Sequence, residues 1–127
     1  MLKHVCGAFE LVSFEIAPVQ GPKKTWGTNL RGLLFYSPSG RMSVSINRDI
    51  LASAPTDKDV LDSMLFYAGT YSIEANVVTH NVTIASAPAR IGRALTRYAS
   101  FDGDLLTLKS PEESFGTATV VWRRISS

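Results

Sequence analysis

The sequence predicts an all-β protein: an antiparallel up-and-down β-barrel of about eight strands, with one short helix closing an end. Apolar residues recur at every second position in short runs, and Gly, Pro, Asp or Asn separates the runs at intervals typical of antiparallel sheets. The runs number about eight, the size at which a closed sheet can hold one small ligand. One segment switches to helical spacing instead.

The strand candidates are residues 8–16, 32–36, 41–47, 67–74, 77–84, 92–101, 105–109 and 117–125. Tight turns join several of them: Ser37-Pro38-Ser39-Gly40, Ala75-Asn76 and Asp102-Gly103. Sequential hairpins pair neighbours in order, and pairing the first strand with the last removes the exposed edge. The helical segment is 57–66, where Val60, Leu61, Met64 and Leu65 form an apolar stripe and Thr56 with Asp59 forms a cap. Such a stripe is expected to lie over an open barrel end as a plug, in preference to a mobile lid. Residues 17–29, rich in Pro, Gly and Lys, read as a flexible loop. Trp26 within it is either a hydrophobic anchor or part of the rim of a ligand mouth.

With 127 residues, 45% hydrophobic and 19% charged, the chain has the balance of one globular domain, expected to span 1–127. A net charge of +2, from 13 Lys and Arg against 11 Asp and Glu, is spread along the chain, and no nucleic-acid partner is expected. The adjacent pairs Lys23-Lys24 and Arg123-Arg124 read as solvated surface. Cys6 is the single cysteine, which excludes an intramolecular disulfide and suits a reduced cytoplasm. Met1-Leu2-Lys3-His4 leads into an apolar stretch interrupted by Glu10, so neither a signal-peptide core nor a membrane span is expected. The sequon Asn81-Val82-Thr83 then has no consequence.

Strand phase selects the candidate interior. Val78, His80, Val82 and Ile84 share one face, which sets His80 among aliphatic side chains. His80 is the strongest chemical candidate, set against the plainer reading of a buried neutral imidazole satisfied by a hydroxyl or carbonyl. Ile91, Arg93, Leu95, Arg97, Ala99 and Phe101 share another face. An inward Arg97 requires a carboxylate, a carbonyl or an anionic ligand group, and the reversed phase would leave it solvated. Tyr67, Gly69, Tyr71 and Ile73 form a third face and Met42, Val44 and Ile46 a fourth, with Phe14 and Trp122 adding aromatic bulk.

Other chemistries lack their residues. There is no Gly-rich phosphate loop and no Ser elbow for acyl transfer, and two histidines, His4 and His80, make no metal set. Asp102 and Asp104 flank a turn glycine, and Asp57, Asp59 and Asp62 read as helix-start charges. No cofactor is expected.

The ordered motifs Gly7-x-Phe9-x-Leu11-Val12-Ser13-Phe14-Glu15 and Gly32-Leu33-Leu34-Phe35-Tyr36-Ser37-Pro38-Ser39-Gly40-Arg41-Met42-Ser43-Val44 resemble the bacterial and fungal lipocalin-like domain family. The likeness continues through Tyr67-Ala68-Gly69-Thr70-Tyr71, Val78-Thr79-His80-Asn81-Val82, Arg97-Tyr98, Asp102-Gly103-Asp104-Leu105-Leu106-Thr107-Leu108 and Trp122-Arg123-Arg124. It implies a small barrel with an internal cavity. It also implies kinship with barrels that bind, isomerise or cyclise polyketide-like and terpenoid-like intermediates. Phe9 stands where the family usually has Trp, and the segment before it is short against the family's usual leading extension.

Two functions follow as expectations, beside a third, non-binding reading in which the barrel is filled and acts only as an interaction module. In the first, the barrel binds an apolar or amphipathic small molecule, polyketide-, terpenoid- or fatty-acid-like, with Tyr71, His80 and Arg97 fixing its orientation. The walls would be Phe14, Trp26, Tyr36, Met42, Val44, Tyr67, Val78, Val82, Leu95 and Trp122. In the second, the same cavity is that of a cofactor-free cyclase or isomerase, with His80, Tyr71 and Arg97 as catalytic groups. The expected partner is the hydrophobic ligand or substrate, and a homodimer is left open.

Overall fold

The computed structural model describes residues 5–127, which form one antiparallel sheet of nine strands. These are β1 (Gly7–Ala17), β2 (Lys24–Thr25), β3 (Arg31–Tyr36), β4 (Arg41–Asn47), β5 (Met64–Glu74), β6 (Val77–Ala85), β7 (Ala94–Asp102), β8 (Leu105–Lys109) and β9 (Thr117–Ser126). From β3 onward each strand pairs with the next in the chain, and β9 returns to pair with β1. Eight strands thus close a barrel. The two-residue β2 serves as a splint: β3 pairs with β1 at Gly7 to Glu10, and β2 takes over at Glu15 and Ile16.

The chain order gives the barrel two unlike ends. Short turns after β3, β5 and β7 gather at one end, beside the start of β1. The long connections 18–30, 48–63, 86–93 and 110–116 gather at the other. Phe9, Tyr36, Tyr71 and Phe101 fill the short-turn end, with Tyr36 packed edge-on to Phe9 and Tyr71 at 6.4 and 4.8 Å between ring centroids. The Arg124 guanidinium covers this cluster, 4.7 Å from the Phe9 ring, and donates to the Cys6 carbonyl at 2.6 Å. Alternation in β9 turns Arg123 outward and Arg124 inward, so the pair read as wholly solvated is split across the sheet.

Period two holds except where a bulge resets it. In β6, Val78, His80 and Val82 are buried as expected, but Ile84 is exposed. Gly69 pairs with Val82 whereas Ala68 pairs with Ile84, so Thr83 is an extra residue that reverses the phase and turns Ala85 inward. Gly69 is required there, because a Cβ on it would sit 1.9 Å from the Asn81 carbonyl oxygen. The same device in β1, between Leu11 and Ser13, sends Val12 out and lets both Leu11 and Phe14 pack inward.

The helix α1 (Asp57–Asp62) carries the capping box expected of Thr56 and Asp59, but it is shorter than the 57–66 segment and is no plug. It buries none of its residues, and Val60 and Leu61 are exposed. The chain enters β5 at Met64, so the residues that were to complete the stripe alternate as strand residues, with Leu65 packed on the core. The 17–29 segment is likewise more ordered than its composition implies. It contains β2, and the Trp26 amide donates to the Phe14 carbonyl at 2.9 Å. No helix among the described residues is long and apolar enough to cross a membrane.

Candidate ligand-binding site

His80 sits in mid-barrel, 1% exposed, between two phenols. Its Nε2 lies 2.5 Å from the Tyr36 hydroxyl and its Nδ1 2.7 Å from the Tyr67 hydroxyl. Burial first, and the nearby Arg97 charge second, bring its pKa down to about 3, so the ring is neutral around neutral pH. The phenols are shifted the other way. Burial raises both Tyr36 and Tyr67, with the Arg97 charge acting against the shift in each case and the Arg90 charge also acting on Tyr67. His80 is therefore the buried, satisfied imidazole of the plainer sequence reading.

Toward the long-loop end the interior is not filled. A cavity of about 60 Å³ lies against Tyr67, His80, Arg97 and Trp122, walled otherwise by apolar residues such as Phe14, Leu34, Val44 and Leu108. Beyond it a vestibule of about 460 Å³ opens between Trp26, Leu95, Phe115 and the arginines Arg90, Arg93 and Arg97, with Glu113 on the same wall. Phe14, Leu65, Arg97 and Ala118 line both spaces and form the neck between them. Arg97 thus turns inward, half-buried, and its Nη1 donates to the Thr96 carbonyl at 2.8 Å.

Trp26 anchors its segment to the barrel and also borders the vestibule. It stacks on Phe14 with centroids 5.2 Å apart and planes 9° from parallel, Arg48 lies 4.2 Å over its ring, and its outer side lines the vestibule. A buried polar atom stands apart from this network. The Trp122 indole Nε1 is, among the described residues, the one buried side-chain nitrogen or oxygen without a hydrogen-bond partner.

A family model described as a lipocalin-like domain matches residues 6–125. The chain belongs to that family. No curated relative matches it. The lipocalin-like barrel is in general a ligand-binding fold, and its interior gives each expected residue a position. Phe14, Val44, Tyr67, His80, Arg97 and Trp122 line the inner cavity, and Trp26 and Leu95 line the vestibule. Tyr36 is one bond behind the cavity, through His80. Met42, Val78 and Val82 are buried core residues that line neither space. Tyr71 belongs to the filled end of the lipocalin-like barrel: it donates to the Ser37 carbonyl at 2.7 Å, and burial followed by the Cys6 contact raises its pKa to about 12. Arg90 was not singled out as a site residue because it lies in the 3-10 turn Pro88–Arg90, where no period extends, and Arg93, which period two put on one face with Arg97, sits just before β7 and reaches the vestibule from the connection.

Proposed function

We propose that this lipocalin-like protein binds one apolar or amphipathic small metabolite, polyketide-, terpenoid- or fatty-acid-like, without a cofactor, in the reducing cytoplasm. The observation that carries this reading is the shared neck at Phe14, Leu65, Arg97 and Ala118. Ligand sites commonly measure roughly 300–1,000 Å³. The vestibule, at about 460 Å³, falls in that range, and the inner cavity of about 60 Å³ takes a small terminal group. Binding is favoured over cyclase or isomerase chemistry by the state of His80. Both ring nitrogens are engaged by phenols and the pKa is held at about 3, which leaves a weak base for proton transfer near neutral pH.

The test is titration with an uncharged, environment-sensitive naphthalene dye, expected to saturate at one dye per chain. Ala118→Phe narrows the neck from a position that lines both spaces and should weaken the dye by about tenfold or more while leaving the folded spectrum intact. A dye that never saturates, or that binds the folded variant as well as the parent, sinks the reading.

A further inference from the structure

The polar groups around the inner cavity can be accounted for proton by proton. A neutral imidazole carries one N–H and one acceptor nitrogen. Tyr36 is buried, and among the described residues His80 is its one hydrogen-bond partner. With the proton on Nδ1, the Tyr36 hydroxyl donates to Nε2 and the Tyr67 oxygen accepts from Nδ1. Tyr67 then keeps its own hydroxyl proton for the cavity it lines. The opposite tautomer would strand the Tyr36 proton in the core without an acceptor, a costly arrangement. The tautomer is thus fixed by the hydrogen-bond count.

The residues that line the cavity and neck then hold only donors to spare: the Tyr67 O–H, the buried orphan Trp122 indole N–H and the Arg97 guanidinium. None of these groups presents a spare acceptor of comparable strength. The charge is unbalanced in the same sense. Arg90, Arg93 and Arg97 line the vestibule, and among the described residues none of them has a carboxylate within ion-pair distance, Glu113 included. A half-buried guanidinium whose hydrogen bonds go to uncharged groups, the Thr96 carbonyl and the Tyr67 phenol oxygen, carries an uncompensated charge beside an apolar space.

We propose that the ligand is an acid, and that its carboxylate sits at the neck on Arg97, within reach of the Tyr67 and Trp122 donors, with its apolar body in the vestibule. A carboxylate is acceptor-only, planar and matched to the guanidinium fork, and it supplies the missing counter-charge. Arg90 and Arg93 steer it inward along the vestibule wall. An alcohol would satisfy one donor and leave the charge unbalanced, and an amine would repel it.

This rests on the reading of the barrel as a binder, so the test separates the two. Affinities of 2-naphthoic acid, 2-naphthalenemethanol and 2-naphthylmethylamine, which share one ring system and differ in head group, are measured calorimetrically. The acid should bind about tenfold or more tighter than the alcohol. Its affinity alone should fall with added salt, and its advantage should collapse in Arg97→Gln. The double variant Arg90→Gln/Arg93→Gln, altered at the rim, should reduce the advantage and serves as the reading if Arg97→Gln does not fold. Equal affinity for acid and alcohol overturns the carboxylate while leaving a binding barrel. An acid preference that survives both sets of substitutions overturns the site, and failure of all three compounds to bind overturns the site and the binding function together.

Discussion

The two ends of the barrel are made by the same eight strands and differ in what joins them. At the short-turn end the strand side chains suffice to fill the space: Phe9, Tyr36, Tyr71 and Phe101 meet ring to ring, under the Arg124 guanidinium. At the long-loop end the walls come partly from connections, Trp26 before β3, Arg90 and Arg93 before β7, and Glu113 to Phe115 before β9. The difference teaches where chemistry can collect in a small barrel. Strand periodicity builds a packed interior, and irregular chain supplies charge and opening.

The sharpest way to break this contrast is to truncate one phenylalanine at each end. Phe9→Ala removes a fully buried ring from the filled end and should cost about 3–5 kcal/mol of stability with no effect on dye binding. Phe14→Ala, beside the existing cavity, should cost about half of that or less and weaken the dye. Chemical denaturation of both variants decides it, and equal costs would show that the mouth is packed as tightly as the base.

A second measurement probes the middle, where the two ends meet at His80. Its folded pKa, about 3, lies below the unfolded value of 6.5, so the unfolded chain binds the proton more readily between those values. Stability from this burial is complete above about pH 6.5 and is lost as pH falls toward about 3. The slope approaches about 1.4 kcal/mol per pH unit. His80→Gln, which keeps one donor and one acceptor, should cost about 1–3 kcal/mol at neutral pH and flatten that slope. An unchanged acid limb in the folded variant would remove His80 from the account.

The smallest effect is expected of Cys6. Its thiol lies 3.3 Å from the Tyr71 hydroxyl at the filled end, away from both cavities, and Cys6→Ser should shift stability by less than about 0.5 kcal/mol. Loss of dye binding in that variant would place the ligand at the wrong end.

The same contrast explains what was legible in the sequence. The turns at Gly40, Asn76 and Gly103 and the alternating strands belong to the filled end and mid-barrel, where local chemistry and period two determine structure, and they marked the barrel, its order and the burial of His80. Ile84 was misplaced because a bulge at Thr83 is set by the approach of Gly69 to the Asn81 backbone, a contact between strands that no single-strand pattern carries. Met64 and Leu65 fit a helical stripe as well as a strand, and pairing with Asn47 and Ile46 decides for the strand. Arg90 lies outside any period, Arg93 shared a face with Arg97 in the pattern but precedes the strand that forms, and the unpaired Trp122 nitrogen becomes visible when every neighbour has been placed.

The seam between β1 and β9 joins the earliest and the latest strands of the barrel. During synthesis β1 can pair with β3 as soon as both have emerged, but its other edge stays open until residues 117–126 leave the ribosome. Closure is the most non-local pairing in the chain, and its loop-entropy cost falls at the end of folding. Until then the partly built sheet presents the open edges of β1 and of the newest strand to any other chain nearby, a hazard that the finished barrel removes at one stroke.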